Sequence, residues 1–396
     1  MRVADLTEFY APTGGVRNHL NTKGRVMRGA GHAHLVIAPG KRHFSGQLEP
    51  AAPDAPGSAR VLQLAGPTLP YDANYQLLWR LGGVRRALNE FQPDVLSLNS
   101  MYMSTLALAL LPRRNAPLRT IFWHADFIDT YLRSRLPERV PERVGDALFE
   151  PFWAAVRRVT NGSAATFAAS RNQVDKLRAH GVERVQFVPF GIDRALFHRE
   201  RRDSALRAEL LGAAPSARLL IGVGRLAGEK RWDVVIDAVQ ALSRSVPVRL
   251  VIFGEGPELE RLRAQADPNV VSLPGPLRDR ERLASAMASG DLFVHGGAYE
   301  TYGFSVAEAM ASGLPVVVPN SGAVLDLIDP SSSETFVPGS SDSCRAALER
   351  VLVPDYARYR AAALSAASAV PDSNRQILAL LAAYGELLAQ RSPAAS

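Results

Sequence analysis

Short apolar runs alternate along the chain with longer segments whose apolar positions return at helical spacing, and glycine, proline or a capping residue stands at most junctions. A short continuous run suits a strand buried on both faces, whereas apolar positions at i, i+3 and i+4 mark a helix with one buried stripe. In the first half strands are expected over Arg2 to Thr7, His34 to Ala38, Val61 to Leu64, Val95 to Leu98, Thr120 to Trp123, Ala165 to Ala169 and Val185 to Val188. Helices are expected over Val16 to Met27, Tyr75 to Phe91, Thr105 to Leu111, Phe149 to Val159 and Arg171 to His180, the last capped by Ser170 and stopped by Gly181. The second half repeats strand, glycine-bearing loop and helix. Its strands are Leu219 to Val223, Val248 to Phe253, Val270 to Leu273, Leu292 to Val294 and Leu314 to Val318. Its helices run from Asp233 to Leu242 and Asp279 to Ala288, with a further one opened by Gly303, Phe304 and Ser305. This order predicts an α/β protein of two doubly wound, Rossmann-like domains with parallel sheets, facing each other across a cleft.

The polar run His198 to Asp203 is read as the junction, giving a first domain over residues 1–195 and a second over 196–371. The last helix, Asn374 to Gln390, is apolar along one side and is expected to return to the first domain within residues 372–396. Pro50 to Ser58 reads as a connector, Arg133 to Arg143 as a charged loop or short helix, and Arg391 to Ser396 as a frayed end.

Composition adds bounds. At 396 residues the chain suits two domains, and 47% hydrophobic with 21% charged residues is ordinary for a folded soluble protein. One cysteine, Cys344, excludes an internal disulfide and reads as a packing residue in a reducing compartment. Asp5 and Glu8 interrupt the start where a signal peptide needs an apolar core, and no apolar run reaches membrane-spanning length. A cytoplasmic protein is therefore expected. The net charge of +7 is least balanced between Phe9 and Leu48, which holds Arg17, Lys23, Arg25, Arg28, Lys41 and Arg42 without an acidic residue. Such a segment is either a solvated face or a patch for an anionic membrane surface, which would place the protein peripherally on the inner face of the cytoplasmic membrane. Nucleic acid is disfavoured, because the segment lacks interleaved aromatics and any recognised motif.

Candidate chemistry gathers at expected strand ends. Between Leu292 and Asn320 a strand enters a glycine-rich loop holding Glu300, and a helix then opens at Gly303, Phe304 and Ser305 and carries Glu308. A helix start points unpaired N–H groups and the positive dipole end at one spot, which suits phosphate. Ser305 and Glu308 also have capping-box spacing, so Glu308 could instead serve the helix itself. Arg225 and Lys230 follow another strand and could both reach a diphosphate, or could pair with Glu229 or Asp233. Gly14 and Gly15 sit in the first strand-to-helix loop, Gly254 and Glu255 in another, and Leu277 after a third. His124 and Asp126 follow Thr120 to Trp123, where ligands bind in open α/β sheets. No metal-ligand spacing is visible, and His32 and His34 read as incidental.

The chain resembles the family-4 retaining glycosyltransferases of the two-Rossmann-domain GT-B fold over nearly its whole length. The resemblance is carried by Gly14-Gly15-Val16 with Gly31-His32, His124, Ser170, Pro189 to Asp193, Gly224-Arg225-Leu226 with Glu229-Lys230, Gly254-Glu255-Gly256, and Glu300 through Pro315. It implies transfer of a hexose from a nucleotide diphosphate sugar, GDP-mannose or a UDP-hexose, to a lipid-linked or glycan acceptor. The nucleotide sugar is then a co-substrate and no cofactor is called for. By the same resemblance Arg225 and Lys230 bind the diphosphate with the amides near Phe304 and Ser305, Glu300 takes donor-sugar hydroxyls, Glu308 the ribose, and His124 the donor sugar. Gly15 permits close approach, and Asp126 is a candidate acceptor contact or base. Ser321-Gly322-Ala323-Val324-Leu325 departs from the family pattern, with Asp326 one place late. A nucleotide-sugar epimerase or glycan phosphorylase of the same architecture and a non-catalytic sugar-nucleotide-binding protein are the alternatives.

Overall fold

The computed structural model describes residues 1–11, 14–48, 56–69, 72–101, 117–133 and 142–391. The expected helix Thr105 to Leu111, most of Pro50 to Ser58 and of Arg133 to Arg143, and the final residues lie outside these. The chain divides into two compact units, Met1–Phe190 with Ser373–Ser396, and Gly191–Asp372.

The first unit holds an eight-stranded sheet in the order β10-β9-β8-β7-β1-β2-β4-β3. Its strands are β1 (Arg2–Leu6), β2 (Ala33–Gly40), β3 (Phe44–Gln47), β4 (Ser58–Ala65), β7 (Val95–Leu98), β8 (Leu118–Trp123), β9 (Ala165–Ala168) and β10 (Val185–Phe187). All neighbours are parallel except the edge pair β3 and β4. A separate hairpin joins β5 (Thr68–Leu69) and β6 (Asp72–Gln76). The helices are α1 (Gly15–Gly29), α2 (Leu81–Phe91), α3 (Glu142–Thr160) and α4 (Arg171–Ala179). Leu6, Ile37, Leu98 and Ile121 from the sheet pack with Val84, Leu88 and Phe91 of α2, so the short apolar runs are indeed strands inside a core.

Two readings need correction. The helix expected over Tyr75 to Phe91 starts only at Leu81, because Gln76 is held in the hairpin opposite Thr68 and tertiary pairing overrides the helical spacing. The basic segment is less of a surface than its sequence suggests. Lys23 and Arg28 of α1 are buried and Arg17 stacks on the Tyr10 ring at 5.1 Å, whereas Arg25, Lys41 and Arg42 are exposed. The inward-facing Lys23 has a partner that sequence spacing could not name: its ammonium lies 2.8 Å from Asp5 Oδ2.

In the second unit the sheet order is β13-β12-β11-β14-β15-β16, parallel throughout. Its strands are β11 (Arg218–Val223), β12 (Val248–Phe253), β13 (Val271–Gly275), β14 (Leu292–Val294), β15 (Val316–Pro319) and β16 (Ser333–Phe336). Helices α5 (Ser204–Leu211), α6 (Trp232–Leu242), α7 (Leu259–Gln265), α8 (Arg280–Ser289), α9 (Phe304–Ala311), α10 (Ser341–Leu352) and α11 (Tyr356–Ala366) complete it. Asp203 ends the polar run read as a junction and caps α5 by accepting from the amides of Ala205 and Leu206. Cys344 of α10 is fully buried in this core, and burial pushes its thiol up to about 12, so it packs rather than reacts.

The last helix, α12 (Ser373–Arg391), returns to the first unit and packs on α1. Its Tyr384 is fully buried, with the hydroxyl 3.3 Å from Lys23 Nζ.

Candidate active site

Each sheet has one place where the chain changes direction, and the candidate residues collect there. In the second unit the chain runs from β11 outward through β12 and β13, then crosses to β14 on the other side of β11. The carboxyl ends of strands beside such a switch point are where open α/β sheets bind ligands. Arg225 and Lys230 follow β11, and Glu300 follows β14.

Glycines set the shape of these loops. A Cβ on Gly254 would lie 2.0 Å from the Gly224 carbonyl, and one on Gly256 2.2 Å from that of Leu226, so the loops after β11 and β12 meet backbone to backbone. The Leu226 amide donates to the Glu255 carbonyl at 2.9 Å, and the Glu255 carboxylate sits 3.4 Å from Arg278. Trp232, 1% exposed, fills the space beside Gly222 and donates through Nε1 to the Arg225 carbonyl at 3.0 Å, fixing the loop that carries both cations. Leu277 is half-buried just beyond β13, after Gly275 at φ 98°.

The cations are already engaged. Arg225 pairs with Glu229, one of the two ordinary partners its sequence offered, while Asp233 pairs with Arg231. Lys230 instead reaches across the switch point to the Glu300 carboxylate. His295 Nε2 stands 2.9 Å from the same Glu300 oxygen, and its ring is 1% exposed. Burial disfavours a charged Glu300, but the Lys230 ammonium and His295 outweigh it and hold the carboxyl well below the usual range. His295 escaped the sequence reading, although it is the first residue past β14 and strand-end position was the signal that selected Glu300.

Close packing within its own loop and a contact from one further loop support Glu300. A Cβ on Gly296 would lie 2.6 Å from the Lys230 carbonyl, and one on Gly297 2.9 Å from His295 Nε2, so only glycines fit between these groups. The loop after β15, where the sequence departs from the family pattern, turns at Gly322 (φ 79°), and the Ala323 amide donates to the Glu300 carbonyl at 3.1 Å. Its contribution is therefore to the backbone that carries Glu300.

Helix α9 begins differently from its capping-box spacing. Gly303, at φ 95°, occupies the N-cap with no side-chain cap, and Phe304 and Ser305 are already helical. Ser305 and Glu308 therefore do not form the box, and Glu308 Oε1 lies 3.3 Å from Arg280 on α8. Burial pushes the Glu308 carboxyl up to about 7; Arg280 opposes this and Asp193 adds to it.

The first unit repeats the logic. Its chain runs from β1 through β2 and β4 on one side, then crosses to β7 and β8 on the other. His124 follows β8 and is 7% exposed. Its ring packs against both Phe122 and Phe190, at 4.7 and 5.2 Å, in a cluster whose two phenyl rings are 4.8 Å apart, and Nε2 is 2.7 Å from Asn99 Oδ1. Burial lowers its pKa to about 3, so the ring is neutral near pH 7. Asp126, the outside candidate for a base, is buried and ion-paired with Lys176, and it accepts the Asp129 amide at 3.2 Å. Its oxygens thus hold the turn after β8. Gly14 is the N-cap of α1, which starts at Gly15, and a Cβ on Gly14 would meet nothing closer than 3.4 Å. The fold itself does not demand glycine there. Among the described residues no cluster of His, Cys, Asp and Glu could hold a metal ion.

Two α/β units on largely parallel sheets, each with polar groups gathered at its switch point, make up the two-Rossmann-domain GT-B architecture, and solved structures agree on the fold. A sucrose-phosphate synthase from Thermosynechococcus elongatus superposes with a TM-score of 0.79 at 16% identity, covering 98% of this chain and 100% of that one. Anabaena Alr3699/HepE in complex with UDP and glucose gives 0.71 at 18% identity, over 96% and 99% of the two chains. The chain belongs to glycosyltransferase family 4: residues 13–196 match "Glycosyltransferase Family 4" and residues 217–353 match "Glycosyl transferases group 1". A GDP-mannose-dependent alpha-mannosyltransferase of Corynebacterium glutamicum is 30% identical over 99% of this chain and 91% of its own length. The GDP-mannose-dependent alpha-(1-6)-phosphatidylinositol dimannoside mannosyltransferase of Mycobacterium tuberculosis is 31% identical over 83% of this chain and 82% of its own.

Proposed function

We propose that this glycosyltransferase moves mannose from GDP-mannose to a lipid-linked glycan, with retention at the anomeric carbon and without a metal ion. The observation that carries the reading is the Lys230–Glu300 pair bridging the switch point beside Arg225. The relatives named above use GDP-mannose and form alpha products, which supports the donor and, because mannose is α-linked in that donor, the retention.

Breaking the sugar–phosphate bond builds negative charge on the leaving diphosphate and positive character on the sugar. Lys230, Arg225 and the first-turn amides of α9 answer the first need. Glu300, held ionised, accepts hydroxyls of the donor sugar, and Glu308 accepts those of the ribose. Acceptor oxygen attacks from the face that the phosphate leaves. One C–O bond breaks, another forms, and the acceptor proton passes to the departing phosphate oxygen. His124 meets a substrate hydroxyl at the end of the first sheet. A lipid-linked acceptor locates the reaction at a membrane surface, and no described helix is long and apolar enough to cross one.

Thermal shift with GDP, UDP and ADP, followed by transfer assays with the matching sugars, tests this. GDP should stabilise most, transfer should require acceptor and survive EDTA, and the product should be α-linked. Lys230→Ala and Glu300→Gln should each lower kcat/KM by about 10²-fold or more with the fold intact. Unchanged turnover in both variants, or sugar release independent of acceptor, would remove the proposal.

A further inference from the structure

Beneath His124, at the switch point of the first unit, lies a chain of buried polar groups to which the reaction above gives no part. Asp5 is 0% exposed and makes four close contacts with three partners: Lys23 Nζ at 3.0 and 2.8 Å from its two oxygens, His34 Nε2 at 2.6 Å, and Asn99 Nδ2 at 2.9 Å. His34, read from sequence as incidental, is one of them. Lys23 in turn donates to the Tyr384 hydroxyl of α12.

The chemistry of these partners fixes Asn99. Its Nδ2 faces the Asp5 carboxylate and, at 3.2 Å, the Ser97 carbonyl, both of which only accept. A flipped amide would set its oxygen against these two acceptors. Oδ1 must then point to His124, and because a carbonyl oxygen only accepts, His124 Nε2 must carry the proton at their 2.7 Å contact.

We infer that Asn99, oriented by Asp5, is a positioning residue that locks His124 as the Nε2–H tautomer, so that Nδ1 acts solely as a hydrogen-bond acceptor. The inference rests on the reading that His124 touches substrate. It narrows that contact: the group met by Nδ1 must donate, as a sugar hydroxyl does and an ionised phosphate does not. It also assigns Lys23, His34 and Tyr384 a common task, holding the Asp5 carboxylate in place, which ties the returning helix to the site.

Nitrogen-15 NMR of the full-length protein labelled at histidine reads the tautomer directly, with His124→Gln identifying the signal. In the native chain His124 should show the Nε2–H pattern at neutral pH, and in Asn99→Ala a tautomer mixture. Asn99→Thr, polar but too short to span both partners, serves as the second variant if Asn99→Ala does not fold. Transfer kcat/KM should fall about tenfold to a hundredfold in either variant, as when the partner orienting a site histidine is removed, while GDP affinity stays unchanged. An Nδ1–H pattern in the native chain, or an Nε2–H pattern that persists without Asn99, overturns the lock. A changed tautomer with unchanged kcat/KM instead overturns the reading of His124 as a substrate contact.

Discussion

The fold leaves the charge of Glu308 near balance. Burial raises its carboxyl to about 7, against Arg280, with Asp193 and Tyr302 also near. A raised carboxyl favours the folded protein below its ordinary pKa of 4.5, and that contribution is lost as pH rises through about 7. Ribose hydroxyls donate to a carboxylate, so binding should behave in the opposite sense. GDP affinity should weaken as pH falls from about 8 to about 6, by up to roughly tenfold per unit below the pKa, and Glu308→Gln should flatten the profile. Isothermal titration across that range checks it, and identical profiles for the two proteins would remove the ribose role. Sequence marked Arg225, Lys230, Glu300 and Glu308 because strand ends and helix starts are legible from local spacing. It did not mark His295 or Asn99, because neither has a motif of its own and each is defined by the side chain opposite it.

At the level of elements, α1 shows what periodicity leaves open. Its apolar positions gave the buried stripe, yet Lys23 lies in that stripe because Asp5 of β1, His34 of β2 and Tyr384 of α12 surround it. Burial opposes the Lys23 charge, but Asp5 more than restores it and its pKa is raised. Removing one member of a buried pair leaves the other uncompensated, which typically costs about 3–5 kcal/mol. Lys23→Met should therefore lower unfolding stability by about that amount, measured by denaturant titration, whereas the exposed Arg25→Gln should change it by less than about 0.5 kcal/mol. The start of α9 teaches the same lesson. S-x-x-E spacing fits a capping box, but Gly303 adopts the left-handed turn that opens the helix and Glu308 turns to Arg280 instead.

For the whole molecule, one unit is continuous in sequence and the other is not. Gly191–Asp372 contains its entire sheet, its core and the Lys230–Glu300 pair, whereas Met1–Phe190 is completed by the final helix. Residues 191–372 expressed alone should fold cooperatively and be stabilised by GDP. Residues 1–190 alone should melt lower or fail to fold, because Lys23 loses Tyr384 and the α1 surface beneath α12 is uncovered. Circular dichroism melts with and without nucleotide distinguish these outcomes, and a fragment 191–372 that does not fold would contradict this account of the unit.

By itself the sequence determined the alternation of strands and helices, the parallel sheets and the strand-end loops that hold Arg225, Lys230 and Glu300. These follow from local rules of periodicity, turn chemistry and helix starts, which act over a few residues. Tertiary structure decided which charges are surface and which are core, why Tyr75 and Gln76 are not helical, and how Asn99 meets His124. Those outcomes depend on pairings such as Asp5 with Lys23, Asn99 and His34, which join residues distant in sequence only once the strands have found their order.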